Sequence, residues 1–340
     1  MSKKHMKVKN ISVLGGGSWG TVLANLAASN RNNVTLWMRD SVVVDEVNKF
    51  NRNSKYLPQL KLEKNLKASS DISSIGDSEM VIFCIPSDSF REVSKMASKF
   101  IKDNVQLVTA TKGVEKDKFH LMSQILNEYM DKNPVGILSG PNLAEEIAAK
   151  HLSGTVIASK DRSLQQNVTE ILGSEFFRVY ENDDPYGVEM GGAIKNIYAI
   201  ACGIADGLKS GENTIGMIMT RGLGEMSRLA MELGANPQTF LGLSGVGDLI
   251  TTCASPLSRN HKFGKYIGEG LSVKSSTDKI GQTVEGLKTL KVVKLLSDDR
   301  NINMPIVDSL YKIIYKGEGL DDSIQNVLGE DLVKDVEFFK

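Results

Sequence analysis

Cysteine is scarce in this chain of 340 residues, with three in all, at positions 84, 202 and 253. An odd count with no CxxC spacing excludes a disulfide-stapled secreted scaffold and suits buried thiols in a reducing cytosol. An excess of charge is also missing, since 41 basic residues balance 41 acidic ones. A general nucleic-acid or membrane-surface binder usually carries a basic surplus, so neither partner is expected. No apolar run reaches the ~18 residues that cross a bilayer, and membrane insertion is not expected. The stretch from Ala193 to Ala205 comes nearest and is broken by Lys195 and Asn196. The basic start MSKKHMKVKN is followed by an apolar run that stops at Leu14, too short for the ~7–15 residues of a signal peptide core. The four histidines, His5, His120, His151 and His261, are far apart, and no metal site is expected. Repeats and low-complexity segments are absent. What is present is ordinary globular composition, 41% hydrophobic and 24% charged, at a length that suggests about two domains.

The first half alternates short β-rich runs with helical stretches. Ile11–Leu14 and Val34–Met38 read as strands, and Met80–Ile85 is a continuous apolar run ended by Pro86, as for a strand covered on both faces. Val105–Ala110 and Val135–Leu138 look alike, Gly154–Ala158 and Phe177–Tyr180 are candidate edge strands, and Ser69–Ser78 reads as a loop. After Asp183-Asp184-Pro185 only helical patterns follow, over residues 186–208, 213–233, 283–296 and 305–315. The expected architecture is α/β: an N-terminal, Rossmann-type, doubly wound and mostly parallel sheet over residues 1–184, plus an all-α C-terminal substrate-binding and catalytic domain over residues 185–340.

Six clusters carry chemistry. Gly15, Gly17 and Gly20 satisfy GxGxxG between the first strand and an Ala-rich helix. In that context the glycines permit a tight turn, backbone approach to a pyrophosphate, and helix-on-strand packing. The second strand ends in Arg39-Asp40. An Arg there accommodates the 2′-phosphate of NADP and an acid bonds the 2′-hydroxyl of NAD, so NADPH is expected to be accepted, with NADH possible. Lys112 follows another strand, at the edge where ligands of open α/β sheets bind. Ser139-Gly140-Pro141-Asn142 follows the next, with Asn142 suited either to a helix N-cap or to a ligand.

The remaining two lie in the second half. Lys195 interrupts a helix that is apolar nearly all round, with Gly191 one turn earlier leaving room for a ligand. A buried lysine loses proton affinity and enters the useful range for acid–base work. Asp248 could anchor Lys195, bond a substrate hydroxyl, or merely cap a helix. Ser255 and Pro256 mark a helix start whose first turn would hold Ser258, Arg259 and Asn260, a phosphate-binding set.

In this order the stretches ISVLGGGSWGTVLA, VTLWMRD, ATKGVE, LSGPNLAEEIA, GGAIKNIYAIACGIADGL, TRGLGEM, LSGVGDLITTCASPLSRNHKFG and TVEG run from residue 11 to about 286. The chain thereby resembles the bacterial NAD(P)-dependent sn-glycerol-3-phosphate dehydrogenases. The resemblance implies reduction of dihydroxyacetone phosphate to sn-glycerol 3-phosphate by NADPH or NADH, reversibly, for glycerophospholipid synthesis in the cytoplasm, with a homodimer allowed. It implies cofactor contacts at Ser18, Trp19, Arg39, Lys112, Ala144, Arg259, Thr283 and Glu285. Substrate contacts are implied at Lys112, Gly140, Asn142, Asp248, Ser258, Arg259 and Asn260, with Lys195 as proton acceptor in the oxidative direction. Where the family has Ser or Thr and then Phe, this chain has Asn142-Leu143, whose amide can still bond substrate. The rival readings are a hydroxy-acid or sugar-acid dehydrogenase of the same plan and a non-enzymatic NAD(P)H sensor. The sensor would have no need of Lys112, Lys195 and Asp248.

Overall fold

The computed structural model describes residues 8–115 and 119–320, which form two compact units. Of the described residues, the first unit takes those up to Thr111 and again from Met122 to Pro185; the second takes those from Lys112 to Leu121 and from Tyr186 on. Residues 112–121, which the sequence reading kept with the first half, group with the second. The cause is visible in the hydrophobic core. Val114 and Leu121 pair as an isolated bridge and are fully buried among second-unit side chains, where their transfer from water is favourable.

In the first unit the strands are β1 (Asn10–Leu14), β2 (Asn33–Trp37), β3 (Arg52–Asn53), β4 (Leu57–Lys61), β5 (Leu66–Ser69), β6 (Met80–Phe83), β7 (Gln106–Thr109), β8 (Val135–Ser139), β9 (Ser153–Ala158) and β10 (Phe177–Asn182). Eight of them form one sheet in the order β10-β9-β8-β7-β6-β1-β2-β5, while β3 and β4 make a small antiparallel ribbon. All neighbours in the large sheet are parallel except β8 and β9. The helices are α1 (Ser18–Ser29), α2 (Ser41–Phe50), α3 (Ser87–Ala97), α4 (Met122–Tyr129), α5 (Ala144–Ala148) and α6 (Arg162–Leu172).

Met80 and Ile82 face a core layer that also holds Val22, Val43 and Leu164, from α1, α2 and α6. Val81 and Phe83 face the opposite layer, with Phe90 of α3 and Ile125 of α4. Both faces of the sheet are therefore covered, which explains the uninterrupted apolar strands. The stretch Ser69–Ser78 is a loop only in part: Ser69 ends β5 and Ile72–Ile75 makes a short 3₁₀ turn.

The second unit is helical: α7 (Pro185–Gly207), α8 (Glu212–Glu232), α9 (Asp248–Ala254), α10 (Arg259–Gly268), α11 (Val273–Ile280), α12 (Glu285–Arg300) and α13 (Pro305–Tyr311). The last predicted helix ends at Tyr311, and Lys312–Lys316 continues as a wider turn. α7 is buried from Gly187 to Ala205 because other elements cover all its sides. Glycines let α10 come against it. A Cβ on Gly203 would lie 2.1 Å from the His261 carbonyl oxygen, and one on Gly264 would lie 2.0 Å from that of Ile200. This backbone-to-backbone seam ties the first turn of α10 to the helix that carries Lys195.

On α8 the buried Glu225 accepts from the Tyr198 hydroxyl at 3.1 Å and from the backbone of Ile306 and Val307 at 2.7 and 3.4 Å, which caps α13. Burial pushes its carboxyl up to about 8. Among the described residues no helix is long and apolar enough to cross a membrane.

Candidate active site

In the first unit the chain order reverses between β1 and β6, and Gly15–Gly20 follows β1 at that switch point. Ligands of open α/β sheets bind there. Gly15 has φ +120°, and a Cβ on it would lie 2.1 Å from the Cys84 carbonyl oxygen. A Cβ on Gly20 would lie 1.9 Å from the oxygen of Gly15. Packing therefore requires these two glycines. Gly17 differs, because no protein atom lies within 4 Å of its Cβ position and it precedes α1 without a side-chain cap. Open space before uncapped first-turn amides at a positive helix end suits a pyrophosphate.

Sequence reading missed Asn53. Its fully buried amide donates to the Gly16 carbonyl at 3.0 Å and to Thr21 Oγ1 at 2.8 Å, pinning the loop to the β3–β4 ribbon. Ser18 Oγ donates to the Tyr56 carbonyl at 3.3 Å, and Trp19 stands edge-on to Phe177.

At the end of β2 the two ribose candidates part. Asp40 caps α2 through the amides of Val42 and Val43 and pairs with Lys55 at 2.8 Å, which holds its carboxyl below the usual range. Arg39 is exposed. After β8, Gly140 has φ +143°. Asn142 is not an N-cap, as α5 starts at Ala144 after Leu143. Its amide instead accepts from Thr155 Oγ1 at 3.0 Å and donates to the Gly154 carbonyl at 3.4 Å. β9 runs antiparallel beside β8 and puts those groups within reach.

In the second unit four side chains converge. The Lys195 ammonium, with 5% of the side chain exposed, donates to Asp248 Oδ1 and, at 2.5 Å, to Thr252 Oγ1. Asp248, 1% exposed, takes Lys112 on its other oxygen at 2.6 Å. Asp248 starts α9, yet its carboxylate makes these pairs and leaves the helix end uncapped, so the capping alternative is not the one realised. Thr252 was missed, although a hydroxyl four residues after Asp248 shares its helix face. Burial pulls the Lys195 ammonium down to about 7; Asp248 works against this and Lys112 with it. Two lysines on one buried carboxylate gather donors that favour an anion or an oxygen gaining charge.

Gly191 does not leave room for a ligand. A Cβ there would lie 2.8 Å from the Ser244 carbonyl oxygen, which fills the space. The helix expected from Ser255 begins instead at Arg259, with Ser258 as its N-cap accepting from the His261 amide at 3.3 Å. Ser255 ends α9, and its hydroxyl accepts from Leu257. Arg259 Nη1 donates to the Thr283 carbonyl at 3.1 Å. Asn260 is buried, accepting from the Gly286 amide at 3.0 Å and donating to Asn196 Oδ1 at 2.9 Å, so it joins α10, α12 and α7. Asn196 was not singled out from the sequence. Thr283 is exposed, and Glu285 pairs with Lys288 at 3.7 Å.

Residues 10–165 match the N-terminal model of NAD-dependent glycerol-3-phosphate dehydrogenase, and residues 184–325 match its C-terminal model. The chain is 46% identical over 330 residues to "Glycerol-3-phosphate dehydrogenase [NAD(P)+]" of Alcanivorax borkumensis, covering 97% of this chain and 96% of the relative. It is 49% identical over 308 residues to the protein of the same name in Acinetobacter baylyi, covering 90% and 86%. The crystal structure of glycerol-3-phosphate dehydrogenase from Coxiella burnetii superimposes with a TM-score of 0.90 at 36% identity, covering 94% of this chain and 99% of that one. With both halves matched and relatives this similar along nearly the whole length, the chain belongs to the NAD-dependent glycerol-3-phosphate dehydrogenase family.

Proposed function

We propose that this chain reduces dihydroxyacetone phosphate to sn-glycerol 3-phosphate with NADPH or NADH, and runs the reverse reaction, with Lys195 as the proton-transferring group. The observation that carries this is the buried Lys195–Asp248–Lys112 cluster beside Thr252. A binding protein has no use for a buried lysine held near neutrality. The bound nicotinamide supplies or accepts the hydride. Gly17 and the first-turn amides of Ser18 and Trp19 would hold its pyrophosphate, with Gly15 and Gly20 shaping the loop; the family resemblance assigns Ala144, Thr283 and Glu285 to the cofactor as well.

During reduction the carbonyl oxygen gains charge. Lys195 donates a proton to it, and Lys112 adds positive potential. Asp248 keeps both ammonium groups aimed, and Thr252 retains a partner for the amine after proton loss. Arg259, Ser258 and Asn260 grip the phosphate, and the family resemblance assigns Gly140 and Asn142 to the substrate as well. That non-reacting phosphate supplies binding energy that orients the carbonyl. Oxidation uses the same lysine, neutral, as base.

The test is nicotinamide absorbance with dihydroxyacetone phosphate across pH. Reduction needs the ammonium, so kcat should hold at low pH and fall as pH rises through about 7; oxidation needs the amine and should fall as pH drops through it. Turnover of hydroxy acids in place of the phosphorylated ketone, or no turnover at all, refutes the proposal.

Arg39 supports a preference for NADPH, because the neighbouring acid is already engaged in capping α2 and pairing with Lys55. Arg39→Ala should lower the NADPH/NADH ratio of kcat/KM by about tenfold or more, the value of a charge-assisted phosphate bond. An unchanged ratio counts against it. A cytoplasmic setting extends the reading and rests on Cys84, Cys202 and Cys253 forming no disulfide. A homodimer and a role in phospholipid supply rest on the family resemblance.

A further inference from the structure

The residues just before Asp248 do not follow ordinary helical geometry. Leu243–Gly247 is a wide turn of π type, which holds more residues than an α-helical turn. Each α-helical residue advances about 100°, so one residue more or fewer would aim the next side chain at a different neighbour. Two glycine contacts hold the turn. A Cβ on Gly245 would lie 2.2 Å from the Phe240 carbonyl oxygen, so the turn folds tightly onto the preceding stretch. On α7, Gly191 receives the Ser244 carbonyl one helical turn before Lys195. Residue 248 follows directly as the start of α9 and makes the lysine pairs.

We propose that Gly191 and the wide turn Leu243–Gly247 form a positioning element that seats the Asp248 carboxylate between Lys195 and Lys112. The element acts through the backbone: Gly191 receives the Ser244 carbonyl, and Asp248 follows at the start of α9. Several groups bear on Lys195. α9 presents Asp248, Thr252 and Cys253, and the segment after β7 presents Lys112. Of these, Asp248 is the group that raises the lysine's proton affinity; burial and Lys112 lower it. Displacing the turn from α7 therefore lets Lys195 lose its proton more easily.

This inference rests on Lys195 being the proton donor, and the experiment separates the two. The reductive kcat is measured against pH for wild type, Gly191→Ala and Gly216→Ala. Gly216 lies on α8 with nothing within 4 Å of its Cβ position, so it controls for the glycine-to-alanine change itself. The alkaline fall of wild type should move down by about half a pH unit or more in Gly191→Ala, roughly a threefold loss of proton affinity. The KM for NADPH should hold, and Gly216→Ala should superimpose on wild type.

A wild-type fall that Gly191→Ala leaves in place overturns the inference alone. A wild-type profile with no fall near neutrality overturns the role of Lys195 and the inference with it. If Gly191→Ala does not fold, Gly247→Ala takes its place. Its Cβ would press Leu243 Cδ2 at 3.3 Å, directly before Asp248. It should shift the fall in the same direction by less, and an unshifted profile in that folded variant overturns the inference.

Discussion

Replacing Lys195 by alanine should lower the reductive kcat by about 10³-fold while NADPH binding holds. The size is that of a positioned general acid, which contributes roughly 10²–10⁴-fold. Folding should survive, because Asp248 keeps Lys112 at 2.6 Å and is not left as an unpaired buried charge. The glycine loop belongs to the other compact unit and shares no hydrogen bond with this lysine, so cofactor affinity, read by NADPH fluorescence, should be unaffected. Lys195→Arg should not restore turnover. A guanidinium keeps its proton at every working pH and cannot complete the cycle. Turnover within tenfold of wild type in either variant removes Lys195 from the proposed mechanism.

Asp248→Asn should produce the second largest loss, about 10²-fold in reductive kcat at pH 7. The amide keeps the shape and removes the charge that two ammonium groups share. Burial and Lys112 then act on Lys195 without opposition, and its proton affinity drops further below its value of about 7. The remaining ammonium fraction falls about tenfold for each pH unit between the new midpoint and the assay pH. Activity should therefore recover in part toward acid, whereas a uniform loss at every pH would mean that Asp248 acts through geometry alone. An unchanged kcat with an unchanged midpoint would show that the carboxylate has no part in setting the lysine.

Local pattern made much of this molecule legible. The strands of the covered sheet are uninterrupted apolar runs because both faces meet helices, and the glycine spacing after Leu14 marks the switch point. Lys195 stood out because its own helix is apolar all round. Contacts set at long range were not legible. Thr252 meets a lysine 57 residues away, and Asn53 braces the glycine loop from a ribbon whose five-residue strand is mostly exposed. Gly191 read as space for a ligand, since sequence shows that a side chain is missing and not what occupies the gap. Ser255-Pro256 has the composition of a helix start, but Ser258 offers the same cap chemistry three residues later and is the cap that forms.

Residues 112–121 have a consequence for how this gene can be cut. A fragment ending at 185 would expose Val114 and Leu121, which fill a core that the fragment lacks, and would carry one of the paired ammonium groups away from its carboxylate. A fragment starting at 186 would keep Lys195 and Asp248 but face a hole where those two aliphatic side chains belong. Exchanging halves with a relative at that junction would join one parent's loop to the other parent's helices. A cut at the obvious boundary would thereby cost both pieces part of their packing.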